Sequence, residues 1–360
     1  MMSTNLFRFF VLLLPLSVLL GLSSCDPDPV IIEPTQTSYG AGLFISNEGP
    51  FISGTGTLTY YDPLSGKVSQ TIYQKANEGK VLGNILQSMA FFRGNAYLVI
   101  NNANTVVVAD ASTFEDKGKI AGLELPRFFL GIDDSKAYVS QWGSTGTNSG
   151  IAVVDLQSNA ITKQIPLGQG SERMLLVGGL VYVVNEGGFG RDSMLSVIDP
   201  AIDEVLFEVE VGENPTSLVA GADGSIWTIG RGYTANWYDP NDPANISGQL
   251  CNVLADGSAK SCISIPMGAT DLVIDGSGTW VYFVANSQIF RYPTDGSQTV
   301  PELFYPGYFY ELYWDTSRDL LLAADALDFS NPGKVLEIDA QGNLVGSFET
   351  GIVPGYIVQK

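Results

Sequence analysis

Short apolar runs separated by glycine, aspartate and asparagine turns recur along most of this chain. Across residues 172–212 the runs read ERMLLVGG, LVYVVN, MLSVID and EVLFEVEVG, and we name them a, b, c and d. Short β-rich runs bounded by turn residues predict β-strands. The sequence therefore predicts an all-β protein built from units of four strands.

The four-strand unit repeats seven times along the chain. In each repeat a β-rich run ends near an aspartate, and these aspartates are on average about 46 residues apart. They are Asp62, Asp110, Asp155, Asp199, Asp256, Asp295 and Asp339. A period of about 40 to 50 residues with four strands per unit is typical of a β-propeller. The string Asn-Glu-Gly-x-Phe at Asn47 recurs 138 positions later at Asn185, three periods away, so its recurrence follows from the repeat.

The two ends of the sequence complete one blade. The first unit has no run a before AGLFISN, and the chain ends in GYIVQK, which reads as a strand a without a strand b. Their pairing would close the ring and remove free sheet edges. We therefore predict an all-β, seven-bladed β-propeller over residues 40–360, with four antiparallel strands per blade and the C-terminal strand paired with the N-terminal blade.

The connections between strands differ between the two faces of the predicted ring. The b-to-c and d-to-a connections share one face, which we call the loop face, and the a-to-b and c-to-d turns share the opposite turn face. The turns are tight and rich in glycine and aspartate, as in GADGS and DAQGN. Five of the seven b-to-c connections are longer than a hairpin needs, which favours the loop face as the binding surface.

Aromatic and polar side chains on the loop face are the candidate ligand-binding residues. Aromatic rings give large contact areas at low entropic cost, and short polar side chains adapt their hydrogen bonds. The candidates from b-to-c loops are Phe51, Trp142, Glu186, Phe189, Arg191, Arg231, Tyr233, Trp237, Tyr238 and Phe329. The d-to-a connections add Arg127, Arg173, Tyr305, Tyr308 and Tyr310. The alternative is that several of these rings only cap the blade cores.

Composition and charge exclude several classes of function. The formal net charge is −20 and no run of Lys or Arg occurs, so nucleic acid is not a predicted partner. The chain contains no histidine, which removes the common catalytic triads and histidine-ligated metals. Glu48 and Glu186 are candidates for an acid/base pair, but blades 1 and 4 are nearly opposite, so we expect these carboxylates to be too far apart to act on one bond. The prediction is a binding protein without catalytic residues or cofactor.

An oxygen-rich loop, WYDPNDPANISG, is the one candidate for a calcium site. It contains Asp239, Asn241, Asp242 and Asn245 but lacks the residue spacing and the bidentate glutamate of a known calcium loop. We therefore predict a loop stiffened by proline and capped by its own side chains, with no metal.

The three cysteines divide into two groups. Cys251 and Cys262 lie symmetrically about Asp256-Gly257, a strong hairpin signal, and we predict a disulfide between them. The apolar run 9–22 after Arg8 is typical of an export signal. Its continuation, Leu-Ser-Ser-Cys, resembles a bacterial lipobox, which implies a signal peptide over residues 1–24, a lipidated Cys25 and a flexible tether over residues 25–39. The alternative is an ordinary secretory signal.

Two family resemblances follow from these motifs. VYVVN, LSVIDPAIDEV and VEVGENPTSL resemble the YVTN repeat of YncE-like and surface-layer propellers. Together with the lipobox and the acidic residues after it, the chain resembles the BtuG-like surface lipoproteins. This resemblance implies an outer-membrane protein, held at the cell surface by its lipid anchor only, which captures cobalamin or another corrinoid and passes it to a TonB-dependent transporter. A glycan ligand, or a surface propeller that binds only proteins, remains the alternative.

Overall fold

Four antiparallel strands form each of seven sheets, and the sheets are arranged as a ring. The predicted seven-bladed β-propeller is therefore confirmed. The computed structural model describes residues 37–52, 54–236, 238–239 and 241–360. The predicted signal peptide, Cys25 and most of the tether lie outside these residues. Within the described part of the chain, no helix has the length and apolar character needed to span a membrane.

The first four blades have the following strands. Blade 1 contains β1 (Leu43–Asn47), β2 (Thr57–Asp62), β3 (Lys67–Ser69) and, as its innermost strand, the C-terminal β28 (Pro354–Gln359). Helix α1 (Ile72–Ala76) leads to blade 2, which contains β4 (Leu86–Phe92), β5 (Asn95–Ile100), β6 (Thr105–Asp110) and β7 (Asp116–Ile120). Blade 3 contains β8 (Pro126–Gly131), β9 (Lys136–Gln141), β10 (Gly150–Asp155) and β11 (Ala160–Pro166). Blade 4 contains β12 (Ser171–Val177), β13 (Leu180–Asn185), β14 (Met194–Asp199) and β15 (Glu204–Glu210).

The last three blades follow the same order from the innermost to the outermost strand. Blade 5 contains β16 (Pro215–Ala220), β17 (Ile226–Gly230), β18 (Gly248–Val253) and β19 (Lys260–Ile265). Blade 6 contains β20 (Thr270–Ile274), β21 (Trp280–Ala285), β22 (Gln288–Pro293) and β23 (Glu302–Pro306). Blade 7 contains β24 (Glu311–Asp315), β25 (Leu320–Asp325), β26 (Pro332–Asp339) and β27 (Leu344–Ile352).

The apolar core lies between neighbouring blades. The described residues form seven apolar clusters, and each cluster joins two adjacent blades. In strand β13, Val181 and Val183 pack towards blade 3, whereas Tyr182 and Val184 pack towards blade 5. Since successive residues of a strand point to opposite faces, a strand b between two blades is buried on both sides. This explains why the strand-b runs are continuously apolar rather than alternating.

The ring closes as the sequence predicts. Strand β28 pairs antiparallel with β1, and each innermost strand contacts the innermost strands of both neighbouring blades. At the turn face, the Lys360 Nζ donates to the backbone carbonyls of Tyr39 and Ala111 at 2.9 and 2.8 Å. Tyr39, which the sequence assigned to the tether, is buried there. The polypeptide therefore enters the propeller at the turn face.

The turn face is built from repeated aspartate-capped turns. Each of the seven periodic aspartates accepts a hydrogen bond through Oδ1 from the backbone N–H two residues later, between 2.7 and 3.0 Å. The periodic aspartate is thus a turn-forming residue, in agreement with the sequence interpretation. Cys251 and Cys262 lie directly opposite each other on β18 and β19 and form the predicted disulfide.

Candidate functional site

Strand b ends in the same two-residue arrangement at the loop face of four blades. The second residue is a glycine with positive φ, and the pairs are Glu48-Gly49, Trp142-Gly143, Glu186-Gly187 and Arg231-Gly232. In every pair, both backbone N–H groups donate to the carbonyls of the two residues that precede the innermost strand of the same blade. For the Glu186 and Gly187 pair, both hydrogen bonds are 2.8 Å long. These bonds fix the backbone from which the first residue's side chain extends.

The glycine of this arrangement is required for two reasons. Gly49 has φ of +83°, a left-handed conformation that favours glycine. A Cβ atom at this position would lie 2.4 Å from the carbonyl oxygen of Thr55, far inside van der Waals contact. The glycine is therefore necessary for the loop that holds Glu48.

The asparagine before each glutamate has a structural role. Asn47 Nδ2 donates to Thr59 Oγ1 at 2.9 Å, and Asn185 Nδ2 donates to Ser196 Oγ at 2.9 Å. Both asparagines are completely buried and join strand b to strand c. The repeated Asn-Glu-Gly string thus combines a strand-bridging asparagine, a glutamate directed at the central channel and a turn glycine.

A second set of side chains reaches the channel from β-bulges at the starts of the innermost strands. In blades 1 to 6 the pairing of strand a with strand b skips one or two residues at this point. The skipped residue of blade 1 is Gly355, and those with side chains are Gln87, Arg127, Phe128, Glu172, Arg173, Thr216 and Asp271. A bulge redirects the side chains of the extra residues. All seven of them line one cavity at the loop-face end of the channel.

This cavity, which we call the mouth, has a volume of about 310 Å³. It is lined by Glu48, Gln87, Arg127, Phe128, Glu172, Arg173, Glu186, Thr216, Arg231, Thr270, Asp271, Tyr308, Phe309, Tyr310, Glu311 and Gly355. A larger cavity of about 490 Å³, beside Gln141 and Gln164, has Glu124 as its one charged lining residue. The mouth is the candidate site because it gathers five carboxylates and three guanidinium groups from six blades.

Each guanidinium group of the mouth pairs with carboxylates. Arg127 meets Glu172 at two points, Nε to Oε2 and Nη2 to Oε1, both 2.8 Å. Arg173 Nη2 lies 2.5 Å from Glu311 Oε2 and 3.3 Å from an Asp271 oxygen. These side chains are largely buried, so their charges depend on one another rather than on water.

Arg231 forms the third pair, with Glu186, and it is the most exposed of the three arginines. Its Nη2 donates to Glu186 Oε1, and its side chain is 37% exposed. Its Nε and Nη1 make no hydrogen bond within the described part of the chain. Among the described residues, these two guanidinium nitrogens therefore remain available to a ligand on the blade 5 side of the mouth.

Burial changes the ionisation of the carboxyl groups. Burial and the neighbouring charge of Glu172 raise the pKa of Glu186 to about 7, although Arg231 and Arg127 oppose this shift. Burial likewise raises the pKa of Glu311 well above its usual value, against the influence of Arg173. Burial also raises the pKa of Glu48. The mouth therefore holds carboxyl groups that exchange protons closer to neutral pH than ordinary glutamates do.

Aromatic rings surround the charged groups. The indole Nε1–H of Trp142 donates to Glu172 Oε2 at 2.8 Å, and the Arg127 guanidinium carbon lies 4.3 Å from the centre of the Trp142 ring. Arg173 lies 5.1 Å from the ring centre of Phe128 and 5.3 Å from that of Tyr356. Cation–π contacts of this kind hold the arginines in place.

Six of the predicted binding residues come together in the mouth. They are Arg127, Arg173, Glu186, Arg231, Tyr308 and Tyr310. Three further predicted residues extend from it. Trp142 contacts Arg127, exposed Phe189 packs edge-on against Trp142, and Phe329 packs against both Tyr308 and Tyr310.

The remaining predicted residues lie elsewhere. Arg191 pairs with Glu213 and stacks over Tyr233, away from the mouth lining. Phe51 and Tyr238 are exposed at loop tips. Tyr305 belongs to the outermost strand β23, not to a connection, and packs against the core between blades 6 and 7. Trp237 lies outside the described residues.

Half of the charged groups of the mouth were not predicted as binding residues. Glu172, Asp271 and Glu311 were not candidates, and Glu48 was considered only as an acid/base partner of Glu186; both of these glutamates line the cavity. A polar residue near the start of an otherwise apolar strand a, as in LQSM, SERM and ATDL, was the available signal.

The oxygen-rich loop of blade 5 uses its own side chains as caps. Asp239 and Asp242 accept backbone N–H groups two residues later, and Asn245 Oδ1 accepts the N–H groups of Ala235 and Asn236. Among the described residues, no group of three or more carboxylate or thiol side chains is arranged to hold a metal ion.

Solved structures with the same fold include several unrelated proteins. A quinoprotein alcohol dehydrogenase-like protein from Bacteroides thetaiotaomicron is 16% identical, with a TM-score of 0.65 over 89% of this chain and 79% of its own. A periplasmic gluconolactonase from Pseudomonas aeruginosa is 13% identical, with a TM-score of 0.63 over 89% and 98% of the two chains. A candidate 6-phosphogluconolactonase from Bacteroides fragilis is 12% identical, with a TM-score of 0.65 over 91% and 100%.

These likenesses establish the fold alone, because one propeller scaffold carries many activities. Some of the neighbours are named as enzymes, so the expected absence of catalysis stays a prediction. No curated protein matches the sequence. Residues 41–308, about three quarters of the chain, match the family described as "Domain of unknown function (DUF5074)". The chain therefore belongs to the DUF5074 family, and its own fold is a seven-bladed β-propeller.

Proposed function

We propose that this propeller captures a polar nutrient ligand at the mouth of its channel and passes it to a TonB-dependent transporter. The observation that carries the proposal is the convergence of five carboxylates and three guanidinium groups at one end of the channel. Blade packing does not require these charges, and buried ion pairs are weak contributors to stability. Their concentration at one cavity is typical of a recognition site.

The mouth has unused hydrogen-bonding capacity on opposite sides. Arg231 in blade 5 keeps two guanidinium nitrogens free within the described residues, and Glu48 in blade 1 keeps its Oε2 free. A ligand that carries both donors and acceptors would satisfy both sides at once. This supports a polar ligand rather than an apolar one.

The rim of the mouth adds exposed aromatic surface. Phe189 is 66% exposed beside Trp142, and Tyr308 and Phe329 are about half exposed on the other side. A cavity of about 310 Å³ is at the small end of ligand pockets, so it suits one polar group of a larger molecule whose remainder lies on the rim. A corrinoid and a glycan, the two ligand classes that the sequence suggested, are both large enough to place one polar group in the mouth and the remainder on the rim.

The orientation of the chain supports capture from the medium. The polypeptide enters the propeller beside Tyr39 and Lys360 at the turn face, and the mouth opens on the loop face. The point at which the predicted tether joins the propeller and the mouth therefore lie on opposite faces of the ring.

Calorimetry on the purified protein tests the proposal. We expect heat of binding with cyanocobalamin or with a member of an oligosaccharide panel, and a change in the fluorescence of Trp142. Arg231→Gln should weaken binding by about tenfold or more, because a charged donor is lost from the mouth. Lys117→Gln, which removes a similar charge from an outer strand, is the control and should bind normally. Absence of binding to every ligand, with co-purification of a transporter, would favour the protein-interaction alternative.

Hydrolysis of a sugar lactone is the second candidate function. The pKa of about 7 for Glu186 suits a general base, which would take a proton from a water molecule as that water attacks the lactone carbonyl. Arg231 beside it would stabilise the oxyanion. As this tetrahedral intermediate collapses, the bond from the carbonyl carbon to the ring oxygen breaks and Glu186 returns the proton to that oxygen. Ring opening of gluconolactone faster than the spontaneous reaction, and lost in Glu186→Gln, would support catalysis. A rate equal to the spontaneous one would exclude this substrate.

A further inference from the structure

We propose that Glu48 binds a cationic group of the ligand, a primary or quaternary ammonium, in the quadrant of the mouth between blades 7 and 1. This inference rests on the proposed capture function and names the ligand chemistry at one part of the site. It is carried by the pairing of charges, the position of Glu48 against Gly355 and the aromatic rings around it.

Glu48 is the one carboxylate lining the mouth that forms no ion pair with a described residue. Among the described residues, the Glu172 carboxylate is bound by Arg127, Asp271 and Glu311 by Arg173, and Glu186 by Arg231. Glu48 accepts one hydrogen bond there, from the hydroxyl of Tyr310 to Oε1 at 3.2 Å. The mouth thus has more carboxylates than guanidinium groups, and the unmatched one has a free oxygen in the cavity.

Gly355 gives this carboxylate room to enter the mouth. It is the residue that the bulge of blade 1 skips, at the position where other blades with bulges carry Gln87 and Arg127. Its backbone is not in the left-handed region, so the conformation does not require glycine. A Cβ atom on Gly355 would lie 2.9 Å from Glu48 Oε1 and 3.0 Å from its Cγ. The absent side chain therefore lets Glu48 pack against strand β28 and present its carboxylate to the mouth.

Aromatic rings complete the surroundings of a cation. Tyr308 and Tyr310 line the cavity next to Glu48, and Phe329 packs behind both rings at 6.4 and 5.6 Å between centres. Elsewhere in the mouth, Trp142 and Phe128 already hold Arg127 and Arg173 against their rings. Within the described residues, Tyr308 and Tyr310 hold no side-chain cation. A carboxylate beside aromatic rings is a known arrangement for binding ammonium groups.

A cation suits this position better than a neutral donor. A charge-assisted hydrogen bond to a carboxylate is about twice as strong as a neutral one, and the partly enclosed mouth weakens screening by water. Burial raises the pKa of Glu48 and the charge of Arg127 lowers it, but the hydrogen bonds of this guanidinium are made to Glu172 and Gln87. An incoming ammonium group would therefore supply the missing positive charge.

Matched small probes test the inference in the full-length protein. The probes are ethanolamine, choline and dimethylbutanol, the neutral carbon isostere of choline, each titrated by calorimetry or by NMR. We expect choline or ethanolamine to bind at least about tenfold more tightly than the neutral isostere, a ratio equivalent to about 1.4 kcal/mol. Glu48→Gln should abolish this preference, and Glu48→Asp, which keeps the charge, should retain part of it.

Two further variants separate a local effect from misfolding. Gly355→Ala should displace the Glu48 carboxylate and weaken choline binding, with the cavity otherwise intact. Glu115→Gln removes an exposed carboxylate from the turn face and should leave the preference unchanged. Thermal unfolding of each variant identifies any loss of fold.

The possible outcomes distinguish this inference from the proposed function. Equal binding of choline and its isostere, or a preference that persists in Glu48→Gln, would overturn the cation site and leave capture of cobalamin or a glycan standing. A clear preference for choline without any binding of those nutrients would support the cation site and exclude those ligands. No binding of either cation at millimolar concentration would also overturn the inference.

Discussion

Arg127 and Glu172 form a two-point ion pair between the innermost strands of blades 3 and 4. Both N–O distances are 2.8 Å, and the Glu172 carboxylate also accepts the indole N–H of Trp142. Both side chains are largely buried, at 15% and 5% exposure. The pair therefore links two blades at the inner edge of the ring and at the same time forms one wall of the mouth.

This relationship predicts strong coupling between the two residues. Arg127→Met or Glu172→Gln alone should lower the free energy of unfolding by about 3–5 kcal/mol, because the remaining charge stays buried without its partner. The double variant should lose clearly less than the sum of the two single losses. Urea unfolding of all four proteins measures this coupling. Additive losses would show that the pair does not act as a unit.

The raised pKa of Glu186 predicts that stability depends on pH. Its pKa is about 7 in the folded protein, against a usual value of 4.5. Between these values the folded state binds a proton that the unfolded state has released, so stability falls as the pH rises through this window. The loss from one such group is at most about 1.4 kcal/mol per pH unit.

Glu186→Gln isolates this contribution from those of Glu48 and Glu311, whose raised pKa values act in the same direction. The glutamine side chain at this position cannot ionise. The free energy of unfolding of the variant should therefore fall less steeply than that of the wild type between about pH 5 and pH 7. Urea unfolding across this range, with the same buffers for both proteins, measures the difference. If the free energy of unfolding of the two proteins changes with pH in the same way, the pKa of Glu186 is not raised in the folded protein.

The turn glycine after Glu48 provides a test with a matched control. Gly49 and Gly66 both have positive φ, of +83° and +69°. A Cβ on Gly49 would lie 2.4 Å from a backbone oxygen, whereas a Cβ on Gly66 would have no neighbour within 4 Å. Gly66→Ala should cost about 1 kcal/mol for its conformation alone, and Gly49→Ala should cost more.

Ligand binding should separate the same two variants. Gly49→Ala moves the backbone that carries Glu48, so it should weaken binding at the mouth, whereas Gly66→Ala at the turn face should bind as the wild type does. Calorimetry with the ligand found for the wild type measures both. Normal binding by a folded Gly49→Ala protein would show that the conformation of this loop is not needed for ligand recognition.

The disulfide of blade 5 predicts sensitivity to reductant. Cys251 and Cys262 close a short loop, with a sequence separation of 11 residues. Opening a loop of this length should lower the free energy of unfolding by about 2–3 kcal/mol. Unfolding with and without reductant measures the change. The variant with both cysteines replaced by alanine should not respond to reductant, and a response there would indicate another cause.

The fold was largely predictable because the sequence of each blade contains the pattern that predicts its strands and turns. The run VYVV is apolar at every position because neighbouring blades cover strand b on both sides, and each periodic aspartate caps its turn through a hydrogen bond only two residues away. Such signals are local in the chain and repeat seven times. The closure of the ring was also predictable, because the first repeat lacks a strand a and the last residues of the sequence supply one.

The candidate site was only partly predictable. Arg127, Arg173 and Arg231 were chosen because they lie on the loop face, but the same criterion also selected Tyr305, which packs into the core. Glu172 was missed because it belongs to a strand, and a regular strand would not direct it into the channel. The polar residues of SERM mark the position, but the bulge that redirects Glu172 appears only in the pairing of β12 with β13.

The sequence by itself determined the repeat, the four-strand blade, the closed ring and the face with long loops, because these depend on periodicity and on turn residues close together in the chain. Only the tertiary structure decided which side chains meet. Ring closure brings Glu48 next to Tyr310, 262 positions away, and β-bulges turn charged residues of three blades into one cavity. Those contacts depend on the curvature of the whole ring, which no single blade specifies.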